Sequence, residues 1–357
     1  MSITPIGMRL DPALGAVAGR SVVMHYGDPL GEIGALRAGC IVVDRSARGR
    51  TWFDGAQAVD VLTGLVTNDV AALAVGAGQY AAALTPKGKV IADVRILRMT
   101  EQRLLVDCGP RAHDAWAAMV KKYVNPRLAA VADVTSATRD VGVFGVTARR
   151  VASTLTGLEY DALGALAPYA QMEAVIGDAT VHVVRVPDLE LDGYELIAPD
   201  ESFDDVWRRA VSAGATPAGL EAFEIARIEA GRPEWGLDID EATLAQEANL
   251  EELHAISYTK GCYTGQEVVA RVHFRGHVNK HLRGLLCGDC APAPARALLY
   301  DDAGKQVGDV RSSAISPRLG AVALGMVRRE VPAGTTLTVR WDGGESRSDV
   351  TQLPFPA

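Results

Sequence analysis

The stretch Lys260 to Arg271, KGCYTGQEVVAR, sets a thiol between a cation and a polar cluster. Lys260 lies two positions before Cys262, and Gln266, Glu267 and Arg271 follow it. Gly261 and Gly265 allow the backbone angles of a tight loop. A thiol near a cation is biased towards thiolate, the nucleophilic form. Cys262 and Lys260 are therefore candidate reactive groups, set against the ordinary use of free Cys as a small buried hydrophobe. Val268, Val269, Ala270 and Val272 read as a short strand leaving the loop.

Further stretches carry residue types suited to a polar ligand. Asp93, in Gly88-Lys89-Val90-Ile91-Ala92-Asp93-Val94, is a carboxylate inside an apolar strand, which is costly unless it is paired or lines a cavity. Tyr194-Glu195-Leu196-Ile197 follows an Asp-Gly turn signal, and strand alternation puts Glu195 on the face opposite Tyr194 and Leu196. Thr67-Asn68-Asp69 closes a helix and reads as capping and turn chemistry. Arg227 and Glu229, near a helix end, read as a surface pair of small energetic value. Cys287 and Cys290 form a CxxC pair, but no second ligand pair exists and Ala-Pro-Ala-Pro follows, so neither a structural zinc site nor a redox helix is expected.

The elements that must position these residues can be read from periodicity and punctuation. Residues 1–20 read as loosely packed. Strands are expected at 21–26, 41–46 and 50–53, with a helix over 29–38 closed by Gly39. Val59, Leu62 and Val66 predict an amphipathic helix over 55–66. Residues 79–108 read as antiparallel strands, with turns at 86–89 and 100–102. Trp116, Met119, Val120 and Tyr123 share one face of a helix over 113–124, which Pro126 stops. Strand-like segments follow at 140–146 and 180–198, with helices near 147–157, from Asp200 to about Ser212, and over 220–230. Residues 232–256 are acidic and less regular, and from about Val278 onward the chain is strand and turn only, as in a small β-barrel or sandwich.

With 357 residues, 48% hydrophobic and 22% charged, the chain has the composition of a globular protein of two or three domains. A net charge of −8 argues against a broad nucleic-acid surface. No stretch reaches the roughly 20 apolar residues of a membrane span, and no signal peptide is read at the N-terminus. An odd number of Cys, five, fits a reducing cytoplasm.

KGCYTGQE resembles the signature of the YgfZ-like folate-binding proteins, which assist iron–sulfur enzyme maturation and are relatives of the glycine-cleavage T-protein, the aminomethyltransferase. The resemblance runs from about Val22 to about Val339. It includes Thr67-Asn68-Asp69 with the GxxxY segment that ends at Tyr80, the Gly193-Tyr194-Glu195-Leu196 segment, Arg227-Ile228-Glu229-Ala230-Gly231 and Trp235-Gly236-Leu237-Asp238.

The resemblance implies an α+β, cloverleaf-like three-domain fold of T-protein type: two interleaved folate-binding domains over residues 20–277 and a C-terminal β-barrel domain over 278–357. It implies tetrahydrofolate, or a one-carbon derivative, as cofactor. Glu195 would receive the pterin ring, Asp93 would contact the folate near its reactive nitrogen, Arg227 would face the glutamyl tail, and Trp235 would wall the pocket, with Asn68 and Tyr80 as further folate-site residues. Where the T-protein has two successive Asp, this chain keeps the second as Asp93 and has Ala92 for the first. The implied function is assistance to assembly or repair of iron–sulfur enzymes, including tRNA-modifying ones, with iron–sulfur client or assembly proteins as partners. The alternative is a folate-dependent aminomethyltransferase of the glycine-cleavage type.

Overall fold

In this computed structural model, residues 12–288 and 291–356 are described. The chain begins with β1 (Ala13–Val17), β2 (Arg20–His25), α1 (Pro29–Ala38), β3 (Ile41–Asp44), β4 (Gly49–Asp54), α2 (Ala58–Leu65), β5 (Gly78–Leu84), β6 (Val90–Arg98) and β7 (Arg103–Cys108). It continues with α3 (His113–Tyr123), β8 (Ala130–Asp133), β9 (Thr138–Phe144), α4 (Ala148–Thr156), α5 (Tyr160–Ala165), β10 (Gln171–Ile176), β11 (Ala179–Arg185) and β12 (Gly193–Pro199). After α6 (Phe203–Ser212), β13 (Thr216–Pro217), α7 (Leu220–Glu229) and α8 (Gln266–Arg275) come β14 (Lys280–Gly288), β15 (Leu298–Tyr300), β16 (Gln306–Ser316), β17 (Gly320–Arg328), β18 (Thr336–Trp341) and β19 (Gly344–Thr351).

Two compact units result. The first is Met1–Gly64, Asn68–Tyr80 and Val94–Phe223; the second is Leu65–Thr67, Ala81–Asp93 and Glu224–Ala357. The chain thus passes between units at Leu65–Thr67, within β5, within β6 and again within α7.

In the first unit a six-stranded sheet runs in the order β10-β11-β12-β9-β3-β13. Alternation decides what its faces carry. Val141 and Val143 of β9 and Tyr194 and Leu196 of β12 join Val151, Leu155, Val206 and Trp207 in one core, so this face is covered by α4 and α6. The other face carries Glu195, whose partner across the β9–β12 register is Gly142. A second sheet has the order β5-β6-β7-β4-β8.

In the second unit, β14-β17-β16-β15-β18-β19 close into a barrel. Leu285, Leu299, Val310, Val327, Leu337 and Val339 fill it. Closure leaves no sheet edge exposed to pairing. Leu282, Val322, Leu324 and Met326 pack a separate cluster with Ile228 and Phe355.

The strand expected after Glu267 is a helix. Gln266–Arg275 form α8, started by Gly265 at φ +87°. A short apolar run does not distinguish strand from helix by itself, and here only Val269 of that run is fully buried. The loosely packed N-terminus also needs correcting over its described part, because Ala13–Val17 pairs antiparallel with β2. Strand β10 was not expected; it pairs with β11 at the end of the six-stranded sheet. Among the described residues no helix is long and apolar enough to cross a membrane.

Candidate functional site

Glu195 is fully buried in the first unit and surrounded by guanidinium groups. Its Oε2 accepts from Arg95 Nη2 at 2.5 Å, and its Oε1 lies 3.5 Å from Arg45 Nε. Arg95 also donates through Nε to Asp107 Oδ1 at 2.7 Å, and Arg48 donates through Nε to the same oxygen at 2.8 Å. The Arg45 guanidinium lies over the Phe223 ring, 3.7 Å from its centroid. Strand alternation explains the location: β12 turns Tyr194 and Leu196 into the apolar core, and Glu195 must face the other way.

The electrostatics follow from burial and cations together. Burial alone would raise the Asp107 carboxyl, but Arg48 and Arg95 pull it down to about 2. Burial likewise opposes ionisation of Glu195, yet Arg95 first and Arg45 next hold it below its ordinary value. Glu195 is therefore an ionised acceptor in a buried setting. Its Oε1, Arg45 Nε and Arg95 Nη1 are buried without a hydrogen-bond partner among the described residues. Such orphaned atoms are rare in folded proteins and need a partner or a role.

Asn68 and Tyr80 are in the same unit. Asn68 Nδ2 donates to the Tyr80 carbonyl at 2.8 Å. The Tyr80 ring stacks on Tyr169 with centroids 6.3 Å apart.

Asp93, Trp235 and Arg227 are in the second unit and connected through short steps. Asp93 Oδ1 accepts from the Trp235 backbone N–H at 3.3 Å, and Trp235 Nε1 donates to the Val90 carbonyl at 3.3 Å. The preceding backbone N–H, of Glu234, donates to Asp238 Oδ2 at 3.0 Å. That oxygen also accepts from Arg227 Nη1 at 2.7 Å. Arg227 is not the surface residue its helix position implied. It is 4% exposed and ion-paired with Glu224 and Asp238. Burial would lower its pKa, but Glu224 and then Asp238 raise it above the ordinary arginine value.

The Cys262 motif also lies in the second unit. Cys262 is exposed, whereas Cys40, Cys108 and Cys287 are buried. Lys260 has the opposite disposition to the thiol: it is 8% exposed, its Nζ donates to the Val66 carbonyl at 2.7 Å, and the ammonium lies 4.8 Å from the Tyr263 ring centroid. Gly265 is required by its backbone: a Cβ there would come within 2.6 Å of the Thr85 carbonyl oxygen. Gly261 meets no such limit. Gln266, Glu267 and Arg271 ride on α8. Val268 of that helix packs where a Cβ on Gly88 would be, 2.8 Å away, so the helix start lies against the turn of the β5–β6 hairpin. Cys287 Sγ donates to Ser348 Oγ at 3.4 Å, and Cys290 lies outside the described residues.

Sequence reasoning missed the cations and the second acid around Glu195. Arg95 and Asp107 are each embedded in an apolar strand. The rule that singled out Asp93, that a charge in such a strand needs a partner, applies to both.

The family described as GCVT N-terminal domain matches residues 25–257, and that described as glycine cleavage T-protein C-terminal barrel domain matches 280–356. An aminomethyltransferase of Ralstonia pickettii is 30% identical over 94% of this chain and 92% of its own. One of Thermotoga neapolitana is 27% identical over 99% and 98%. The crystal structure of glycine cleavage system aminomethyltransferase T from Bartonella henselae superimposes with a TM-score of 0.87 at 23% identity, covering 97% of this chain and 95% of that one.

Proposed function

Because the chain belongs to the glycine-cleavage T-protein family, we propose that it binds a reduced folate, tetrahydrofolate or a one-carbon derivative, and handles the carbon unit that this cofactor carries. The observation that supports this reading is Glu195: buried, ionised and with Oε1 lacking a hydrogen bond. A carboxylate can accept two parallel N–H bonds from an amino-pyrimidine edge, and such charge-assisted pairs are strong. Asp93 would lie near the reactive nitrogen. The division into two interleaved folate-binding domains over 20–277 and a barrel domain over 278–357 is part of the same proposal, as are the roles of Asn68, Tyr80, Arg227 and Trp235.

The aminomethyltransferase relatives support transfer of an aminomethyl-derived carbon to tetrahydrofolate. A second, YgfZ-like reading is favoured by one observation. Cys262 is exposed on its motif loop, and an exposed thiol open to oxidation is a liability that aminomethyl transfer does not require. On that reading the protein assists assembly or repair of iron–sulfur enzymes, tRNA-modifying ones among them. Ala92, buried and without the carboxylate of the transferase pattern, points the same way.

One assay separates the two. The protein is mixed with tetrahydrofolate and an aminomethyl-lipoyl carrier, and methylenetetrahydrofolate is followed. Turnover of about one per second or faster, equal in Cys262→Ala, establishes the transferase. No turnover, with rescue of iron–sulfur enzyme activity in a deletion strain by wild type and not by Cys262→Ala, establishes the maturation role.

A further inference from the structure

The face of β9 and β12 that carries Glu195 holds a second carboxyl. The register pairs Glu195 with Gly142 and Ile197 with Asp140. Since Val141 and Val143 point into the helix-covered core, Asp140 shares the Glu195 face as its diagonal neighbour, about 7–8 Å away.

Asp140 is 0% exposed, and among the described residues neither side-chain oxygen has a hydrogen-bond partner. Its backbone is held firmly: N–H donates to Ser46 Oγ at 3.1 Å and the carbonyl accepts from Arg45 N at 2.8 Å. The charged groups acting on it are Glu195 of β12, Arg50 of β4, Asp107 of β7 and Arg95 of β6. Arg50 spends Nε on Thr138 Oγ1 and Nη2 on the carbonyls of Ser46, Thr135 and Thr138. Arg95 is engaged by Asp107 and Glu195. Arg50 Nη1 and Arg95 Nη1 are left without hydrogen bonds, yet among the described residues no cation is hydrogen-bonded to the Asp140 oxygens. An ionised carboxylate buried without hydrogen bonds costs far more than a neutral one.

We propose that Asp140 carries a proton at neutral pH and acts as a positioning residue: while neutral, it leaves Arg95 and Arg45 to Glu195, which stays ionised and able to accept N–H groups of a cyclic-amide ligand edge. The ligand half rests on the folate reading above; the proton on Asp140 does not. Burial first and the Glu195 charge second push the Asp140 carboxyl well up, while the guanidiniums pull Glu195 down. Two carboxyls driven apart in this way mark an acid and a base in one site. Ionising Asp140 would set a second anion beside Glu195 and draw on the same guanidiniums, so binding should weaken.

The first test needs no ligand. Infrared spectra of protein labelled with 13C-aspartate, taken at neutral pH, should show a protonated-carboxyl stretch that moves with the label and is absent from Asp140→Asn. The second follows affinity for 5-formyltetrahydrofolate against pH. Wild-type affinity should fall as pH rises through the Asp140 titration, by up to about tenfold per unit. Asp140→Asn, which cannot ionise, should stay flat over that range. Absence of the labelled band, or the same pH profile in both proteins, overturns the proposal. If Asp140→Asn does not fold, the wild-type labelled band decides. A band without any folate binding supports the proton on Asp140 and overturns the folate reading instead.

Discussion

At the scale of single residues, the cysteines divide by exposure. Cys262 is exposed; burial pushes the Cys40 thiol up to about 12. In native protein, iodoacetamide should modify Cys262 and spare Cys40, Cys108 and Cys287 until denaturant is added, as peptide mass mapping would show. A Cys262 that labels only after unfolding would end both the exposed-thiol observation and the maturation reading. Lys260, proposed to activate that thiol, also donates from its buried ammonium to the Val66 carbonyl. Lys260→Ala should therefore lower stability, by about 1–3 kcal/mol for the buried acceptor left behind. Glu195→Gln keeps the shape of Glu195 but removes the charge facing Arg95 and Arg45. Losing one partner of a buried charged pair costs about 2–5 kcal/mol in complexes, so tetrahydrofolate affinity should fall well over tenfold. Calorimetry with unchanged affinity would sink the role of Glu195.

At the scale of elements, legibility tracked the length of the pattern. The helix at 113–124 was readable because Trp116, Met119, Val120 and Tyr123 repeat on one face; the first three are buried in α3, whereas Tyr123, at its last position, is exposed. The run after Glu267 was too short to carry a period, and there the strand expectation failed. What fixes α8 is its start. Gly265 adopts φ +87°, and an added Cβ would press on the Thr85 carbonyl and on Leu84. Gly265→Val should cost roughly 1–2 kcal/mol for the left-handed backbone alone, with the contact adding to it. The loss should appear as a lower urea midpoint at unchanged m-value, together with faster amide exchange in α8. If exchange in α8 stays at the wild-type rate, Gly265 is not what starts the helix.

For the molecule as a whole, the strand-and-turn character after Val278 was legible because alternation and turn residues are local signals, while the α+β fold and the closed barrel came from the family resemblance. The buried charge cluster was not legible, since Glu195 of β12 belongs to a different sheet from Arg95 of β6 and Asp107 of β7, and only the packing of the folded chain shows which charges meet. That cluster should govern acid stability. Asp107 is depressed from 3.8 to about 2, against burial, by Arg48 and Arg95. A carboxyl whose folded pKa lies below its unfolded one stabilises the fold above the unfolded value, and that stability is lost as pH falls towards the folded one. The window runs from about pH 4 down to about pH 2, and the depression corresponds to about 2 kcal/mol. Glu195, also depressed, acts with the same sign. Asp140, raised, acts with the opposite sign and takes stability away as pH rises through its own titration. Asp107→Asn should thus lower the unfolding free energy near neutral pH by at least that amount, because Arg48 and Arg95 lose a shared charged partner. It should also flatten the decline between about pH 4 and 2. Urea unfolding at those pH values measures both, and a variant that keeps the wild-type acid slope would show that other carboxylates carry it.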